Sequence, residues 1–189
     1  MLLMKALISI DYTYDFVDDK GSLSAGLAVQ KISESIAKST EEAYQKGYYI
    51  FFTIDNHDQD DDYHPESKLF PPHNINGTKG RDLYGHLGDI YKQIKADKKK
   101  VFWIDKKYYS AFSGTELDLS LRQRGIDTLI LTGVLTDICI LHTAIDAYRL
   151  GYKVEIVTSA IASNSIENHK WALNHCKTVL GASLVDAIY

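Results

Sequence analysis

The sequence predicts an α/β protein: a three-layer sandwich with a mostly parallel central sheet of about six strands and helices on both faces. Three observations predict it. Short apolar runs alternate with amphipathic stretches along the chain, and strands separated by helices form a parallel sheet with right-handed crossovers. The runs are apolar at consecutive positions, as strands covered on both faces require. Aspartate, histidine, lysine and cysteine fall at the ends of these runs, where open α/β sheets gather function.

The first strand is Ala6 to Ile10, with Asp11 directly behind it. Leu27 to Gly47 reads as one amphipathic helix, with Leu27, Ile32, Ile36, Ala43 and Tyr44 on its apolar side and Gly47 as its stop. Tyr48 to Ile54 is a continuous apolar strand ending at Asp55. Periodicity then disappears from Asn56 to about Gly88, a stretch that carries all three prolines and several histidines and acids. An irregular loop of that length in a compact domain is functional or disordered. Leu87 to Ala96 reads as a short helix and Val101 to Ile104 as a strand ending at Asp105 and Lys106. Thr115 to Gly125 is a helix, with Thr115 as cap and Gly125 as C-terminal glycine. Thr128 to Thr132 is a strand, Asp137 to Gly151 a helix, Lys153 to Val157 a strand, Ser165 to Cys176 a helix and Leu184 to Ile188 a last strand. Trp171 is expected to pack within its helix, and Trp103 within its strand.

With 189 residues and no visible boundary, the chain reads as a single domain over 1–189, long enough for a substantial core. A net charge of −4 argues against a general nucleic-acid binder. No apolar run approaches the roughly 18 residues that cross a bilayer, and MLLMK is too short and in the wrong order for a signal peptide. Only two cysteines, Cys139 and Cys176, argue against a disulfide framework and for a reduced, cytoplasmic setting.

Chemistry concentrates first in Gly133 to His142. Thr136 sits where an N-cap belongs, which places Cys139 in the first turn of a helix, near unpaired amides that favour thiolate. Cys139 is then a nucleophile at a strand end, or alternatively a buried structural cysteine. Asp11 suits a general base or a turn cap. Lys106 suits a charge partner for a thiolate or a surface lysine. Asp55 and His57 leave a strand at period-two spacing, so both point to one side. With Glu66 and His73 they offer two nitrogen and two oxygen donors, a set suited to zinc, iron(II) or manganese. His64 competes with Glu66 for the third position. A signalling module with a phosphoacceptor aspartate is the non-enzymatic alternative.

Four ordered motifs sharpen these readings: Asp11 with Asp15-Phe16, Asp55-x-His57, Lys106-x-x-Tyr109-Ser110-Ala111-Phe112-x-x-Thr115, and Gly133-Val134-x-Thr136-Asp137-x-Cys139. In this order, nearly end to end, the chain resembles the isochorismatase-like cysteine hydrolases, and within them the nicotinamidase branch. The resemblance implies Cys139 as nucleophile, Asp11 as acid/base and Lys106 as third member of the triad. It implies an oxyanion hole from the amides of Leu135 and Cys139, with a cis peptide at Val134–Leu135, and a ring-binding pocket at Phe16, Phe70 and Tyr109. It implies one divalent transition metal, zinc first, on Asp55, His57, Glu66 and His73, orienting a pyridine nitrogen. The implied substrate is a small amide, nicotinamide or pyrazinamide, with another amide or ureide of the same family as the alternative. Neither nucleic acid nor membrane is an implied partner, and family members are often homo-oligomers. Leu135 stands where the family commonly has a small or polar residue, which narrows the expected pocket.

Overall fold

The computed structural model describes residues 4–189. Residues 1–3, the start of the stretch read above as no signal peptide, lie outside the described residues. The elements run β1 (Met4–Ile10), α1 (Tyr14–Val17), α2 (Leu27–Gln30), α3 (Ser33–Gln45), β2 (Tyr49–Asp55), α4 (Gly85–Ile94), β3 (Val101–Lys106), α5 (Leu117–Gln123), β4 (Ile126–Val134), α6 (Leu141–Arg149), β5 (Lys153–Ala162), α7 (Ile166–Thr178) and β6 (Ser183–Val185). The six strands form one sheet in the order β3-β2-β1-β4-β5-β6. Every pairing is parallel, so the sheet expected to be mostly parallel is wholly parallel.

Alternation along the strands sorts the core into two layers. Ala6, Ile8 and Ile10 of β1 face the side covered by Leu117 and Leu121 of α5, Ala144 and Ala147 of α6, and Ala172 and Cys176 of α7. Leu7, with Ile50 and Phe52 of β2, faces the opposite side, under Ile36 and Ala43 of α3 and Leu87 and Ile90 of α4. A strand buried on both faces contributes every residue to one layer or the other.

Boundaries moved where local signals were weak. The expected helix from Leu27 to Gly47 is two helices, because Ile32 adopts φ −87°, ψ 1° and ends the first. Residues Tyr14–Val17, unassigned from sequence, form a single helical turn. β5 continues five residues past Val157, where Ser159 and Ala160 interrupt the strand signal, and β6 is shorter and earlier than Leu184 to Ile188. The irregular stretch does contain two 3-10 turns, Pro65–Lys68 and Lys79–Arg81. Trp171 is largely exposed and stacks on His175 (centroids 5.4 Å apart), because α7 buries Ala172 and Cys176 instead. Trp103 is half-buried, packed between Phe52 and Tyr91.

The sheet's C-terminal edge depends on a close approach between β4 and β1. Gly133 (φ +115°) pairs with Ile10, and a Cβ there would lie 1.9 Å from the Ile10 carbonyl oxygen. Only glycine lets β4 lie this close to the residue before Asp11. Gly133→Ala is expected to destabilise the protein by roughly 3 kcal/mol or more, read as a lowered urea midpoint. An unchanged midpoint would show that the strands separate freely there.

Candidate active site

The polar residues at the strand ends converge. Asp11 leaves β1 with φ 53°, a left-handed conformation that aspartate tolerates better than most residues. The turn aims its carboxylate at the neighbouring strand, where Oδ1 accepts from the Asp55 amide at 2.8 Å. Lys106, the last residue of β3, is fully buried. Its Nζ lies 2.6 Å from Asp11 Oδ2 and 2.5 Å from Asp55 Oδ1, and donates to the Tyr108 carbonyl at 3.1 Å. Both carboxylate contacts are ion pairs, and the Asp11–Lys106 pair is wholly buried. Cys139 Sγ completes the group, 3.8 Å from Lys106 Nζ.

Burial and charge push these groups apart. Desolvation, reinforced by the charge of Asp55, raises Asp11 to about 6 against the pull of Lys106. Burial also pushes Asp55 up, but Lys106 and His57 override it and hold Asp55 at about 2. Desolvation disfavours the Lys106 ammonium, yet the two carboxylates hold it charged well above the usual lysine range. For Cys139, burial pushes the thiol well up, the Lys106 charge pulls it down, and Asp11 and Asp55 push it up again.

That result corrects the expectation of a thiolate at a helix start. Thr136 is not a cap: its hydroxyl meets His169 Nδ1 at 2.8 Å, and Leu135 precedes the helical turn without a side-chain cap. Thr136–Ile140 wind as a π-turn, and α6 begins only at Leu141. The Leu135 carbonyl accepts from the amides of Ile138 and Ile140, both at 3.1 Å, and not from the Cys139 amide between them. π-turns are rare and concentrate at functional sites. The Val134–Leu135 peptide is cis. Cys139 and Leu135 line a cavity with Phe16, Phe70 and Tyr109. Its volume is about 100 Å³, the scale of a single ring, since roughly 150 Å³ accepts benzene.

Asp55, His57, Glu66 and His73 bring one ligand atom each to within 4.8 Å of one another. His73 Nδ1 bonds the Pro71 carbonyl at 2.8 Å, which leaves Nε2 as the free lone pair, the arrangement that orients a histidine ligand. The Nε2 atoms of both His57 and His73 are buried without a hydrogen-bond partner. Two orphaned imidazole nitrogens facing two carboxylates fit a divalent transition metal. His64 is otherwise engaged. Its Nε2 is 2.5 Å from the Lys107 carbonyl and its Nδ1 accepts from the Glu66 amide at 3.3 Å. It is the Glu66 carboxylate that joins the cluster.

Three supporting residues have roles that the sequence does not reveal. Asp15 was visible only as part of a motif; its Oδ2 accepts from the Asn74 amide at 2.7 Å and its Oδ1 from Ser22 at 3.1 Å, tying the loop that carries His73 to the wall of the cavity. Arg81 Nε donates to the Asp55 carbonyl at 2.8 Å while its guanidinium pairs with Asp105. That places Asp105 on the outer face, away from Lys106. His169, from α7, braces the Cys139 turn through Thr136, and no sequence signal marks it.

The all-parallel fold, with this polar cluster at the C-terminal edge of its sheet, defines an α/β enzyme. The isochorismatase domain model matches residues 5–187, and the chain belongs to that family. It is 66% identical to a pyrazinamidase/nicotinamidase of Streptococcus mutans UA159, over 96% of this chain and 99% of that one, with a TM-score of 0.94. A nicotinamidase/pyrazinamidase of Bacillus subtilis is 48% identical over 97% of this chain and all of that one (TM-score 0.95). A pyrazinamidase of Pyrococcus horikoshii, solved in complex with zinc, is 26% identical over 96% of this chain and 98% of that one (TM-score 0.82). These relatives are enzymes, which sets aside the signalling-module alternative. Among the described residues no helix is long and apolar enough to cross a membrane.

The Lys106 cluster is also a stability element. Lys106→Met leaves two buried carboxylates facing each other without a cation, and removing one partner of a buried pair costs about 3–5 kcal/mol. Chemical denaturation of metal-free protein at neutral pH is expected to register a loss of that size. A loss under about 1 kcal/mol would mean that water already solvates the pair.

Proposed function

We propose that the protein is a metal-dependent cysteine amidohydrolase that converts nicotinamide to nicotinate and ammonia through a thioester on Cys139. One observation carries the reading: the Cys139 sulfur, with Asp11 and Lys106 beside it, lines a ring-sized cavity that Asp55, Glu66 and His73 of the four-ligand cluster also line. The nicotinamidases similar to this chain support the choice of substrate.

Phe16, Phe70 and Tyr109 sandwich the ring and direct its carboxamide toward Cys139. Burial keeps the resting sulfur protonated, so its proton leaves as the S–C bond forms. An oxygen of Asp11 lies within 4.8 Å of Sγ to accept it. The ammonium of Lys106 favours the developing thiolate. The amides of Leu135 and Cys139 hold the oxyanion, and each such donor contributes about 3 kcal/mol in the transition state. Asp11 then passes its proton to the leaving nitrogen, ammonia departs and a nicotinoyl thioester remains. Water enters, Asp11 takes one of its protons, the thioester collapses to nicotinate, and the sulfur regains the proton. Asp55, His57, Glu66 and His73 would hold a divalent cation (zinc first, iron(II) or manganese next), which would supply Lewis acidity to position the ring.

Ammonia release from nicotinamide by metal-loaded protein, compared with other small amides and ureides, tests the substrate. Release from nicotinamide that a chelator suppresses is expected, and none from nicotinamide would redirect the assignment to another substrate of the family. Cys139→Ala is expected to leave the bound metal in place while turnover falls below about a tenth of wild type; activity above that level would remove Cys139 as nucleophile. Glu66→Gln is expected to weaken metal affinity by about tenfold or more and His64→Gln to change it far less, measured by competition with a chromogenic chelator. The reverse order would make His64 the ligand.

A further inference from the structure

The donor atoms of this site form two overlapping sets. Asp55, His57, Glu66 and His73 make one; Asp11, Asp55 and Cys139 make the other, with their atoms also within 4.8 Å of one another and all three residues buried. Two carboxylates and a sulfur with one open position is a ligand set that a thiophilic ion such as zinc accepts. The sets share Asp55, so an ion on the first lies next to the second. A thiolate draws zinc more strongly than a carboxylate does, and an ion on Cys139 would remove the nucleophile.

The structure puts a cation of another kind there. Lys106 Nζ lies 2.6 Å from Asp11, 2.5 Å from Asp55 and 3.8 Å from Cys139 Sγ, and the Tyr108 carbonyl fixes its direction. Asp11 Oδ2 is fully buried, and among the described residues this ammonium is its neighbouring charge partner. We infer that Lys106 is a built-in placeholder cation that keeps the transition metal off Cys139, in addition to its electrostatic part in the reaction. An ammonium serves here because it neutralises the carboxylates but cannot bond covalently to sulfur. The inference rests on the metal reading above.

Cobalt(II) tests it, since a cobalt–thiolate bond adds a charge-transfer absorption that a nitrogen and oxygen site lacks. Wild type is expected to bind one cobalt without that band. Lys106→Ala is expected to bind two, with the band present, and to release the second when ethylammonium is added to fill the vacated space. In Lys106→Ala with Cys139→Ser the band disappears. One ion and no band in a folded Lys106→Ala overturns the placeholder role. A wild type that binds no ion overturns the metal reading itself.

A second measurement needs no variant that must fold. In wild type, the rate at which iodoacetamide alkylates Cys139, followed by peptide mass spectrometry, is expected to be the same at one equivalent of zinc and at a large excess. Protection that grows with the excess means that zinc reaches the sulfur past Lys106, and overturns the inference.

Discussion

The buried ammonium of Lys106 between Asp11 and Asp55 is the interaction on which the site depends. Without it, two carboxylates from adjacent strand ends would sit in a water-poor interior and repel each other, and one of them would have to take up a proton. With it, the Asp55 carboxyl titrates at about 2, while burial lifts that of Asp11 to about 6. Two aspartates of the same chemistry are thereby pushed apart, and the proposed mechanism uses Asp55 as the permanent anion and Asp11 as the group that exchanges protons. Asp55 also joins the two halves of the site, with one oxygen on Lys106 and the other 3.9 Å from His57 Nε2.

The scaffold explains how these groups arrive together. Asp11, Asp55 and Lys106 end or follow three neighbouring parallel strands, β1, β2 and β3, so they share the C-terminal edge of the sheet. Cys139 comes from the turn after β4, on the other side of β1, and glycine at 133 lets that strand press close. The remaining donors of the cluster, His57, Glu66 and His73, come from the irregular stretch after β2. It is held by pairing of His57 with the backbone around Ile75, by Asp15 on Asn74 and by Arg81 on the Asp55 carbonyl. A segment without regular hydrogen bonding keeps its side chains in place only through such contacts.

This division also explains what could be read in the sequence. Largely apolar runs such as Ala6 to Ile10 and Tyr48 to Ile54 announce buried parallel strands, and the aspartate after each run marks the edge where the site lies. Leu27 to Gly47 misled because its periodicity continues across Ile32, where only the backbone turns. Thr136 has the chemistry of a cap, but the following turn is a π-turn and its hydroxyl faces His169. Burial was equally invisible: the helix-start argument predicts a thiolate, while desolvation dominates at a sulfur beneath the pocket. His64 and Glu66 lie two residues apart in a stretch without periodicity, so composition offers either as a ligand. The backbone decides by turning the imidazole to the Lys107 carbonyl.

The proposed reaction requires a covalent nicotinoyl intermediate on Cys139. Partitioning between water and hydroxylamine tests it most directly, with nicotinamide and methyl nicotinate each supplying the acyl group. A shared thioester predicts the same ratio of nicotinohydroxamate to nicotinate from both substrates at every hydroxylamine concentration, and no product from either after Cys139 is alkylated. A ratio that depends on the leaving group, or turnover that survives alkylation, would contradict the account.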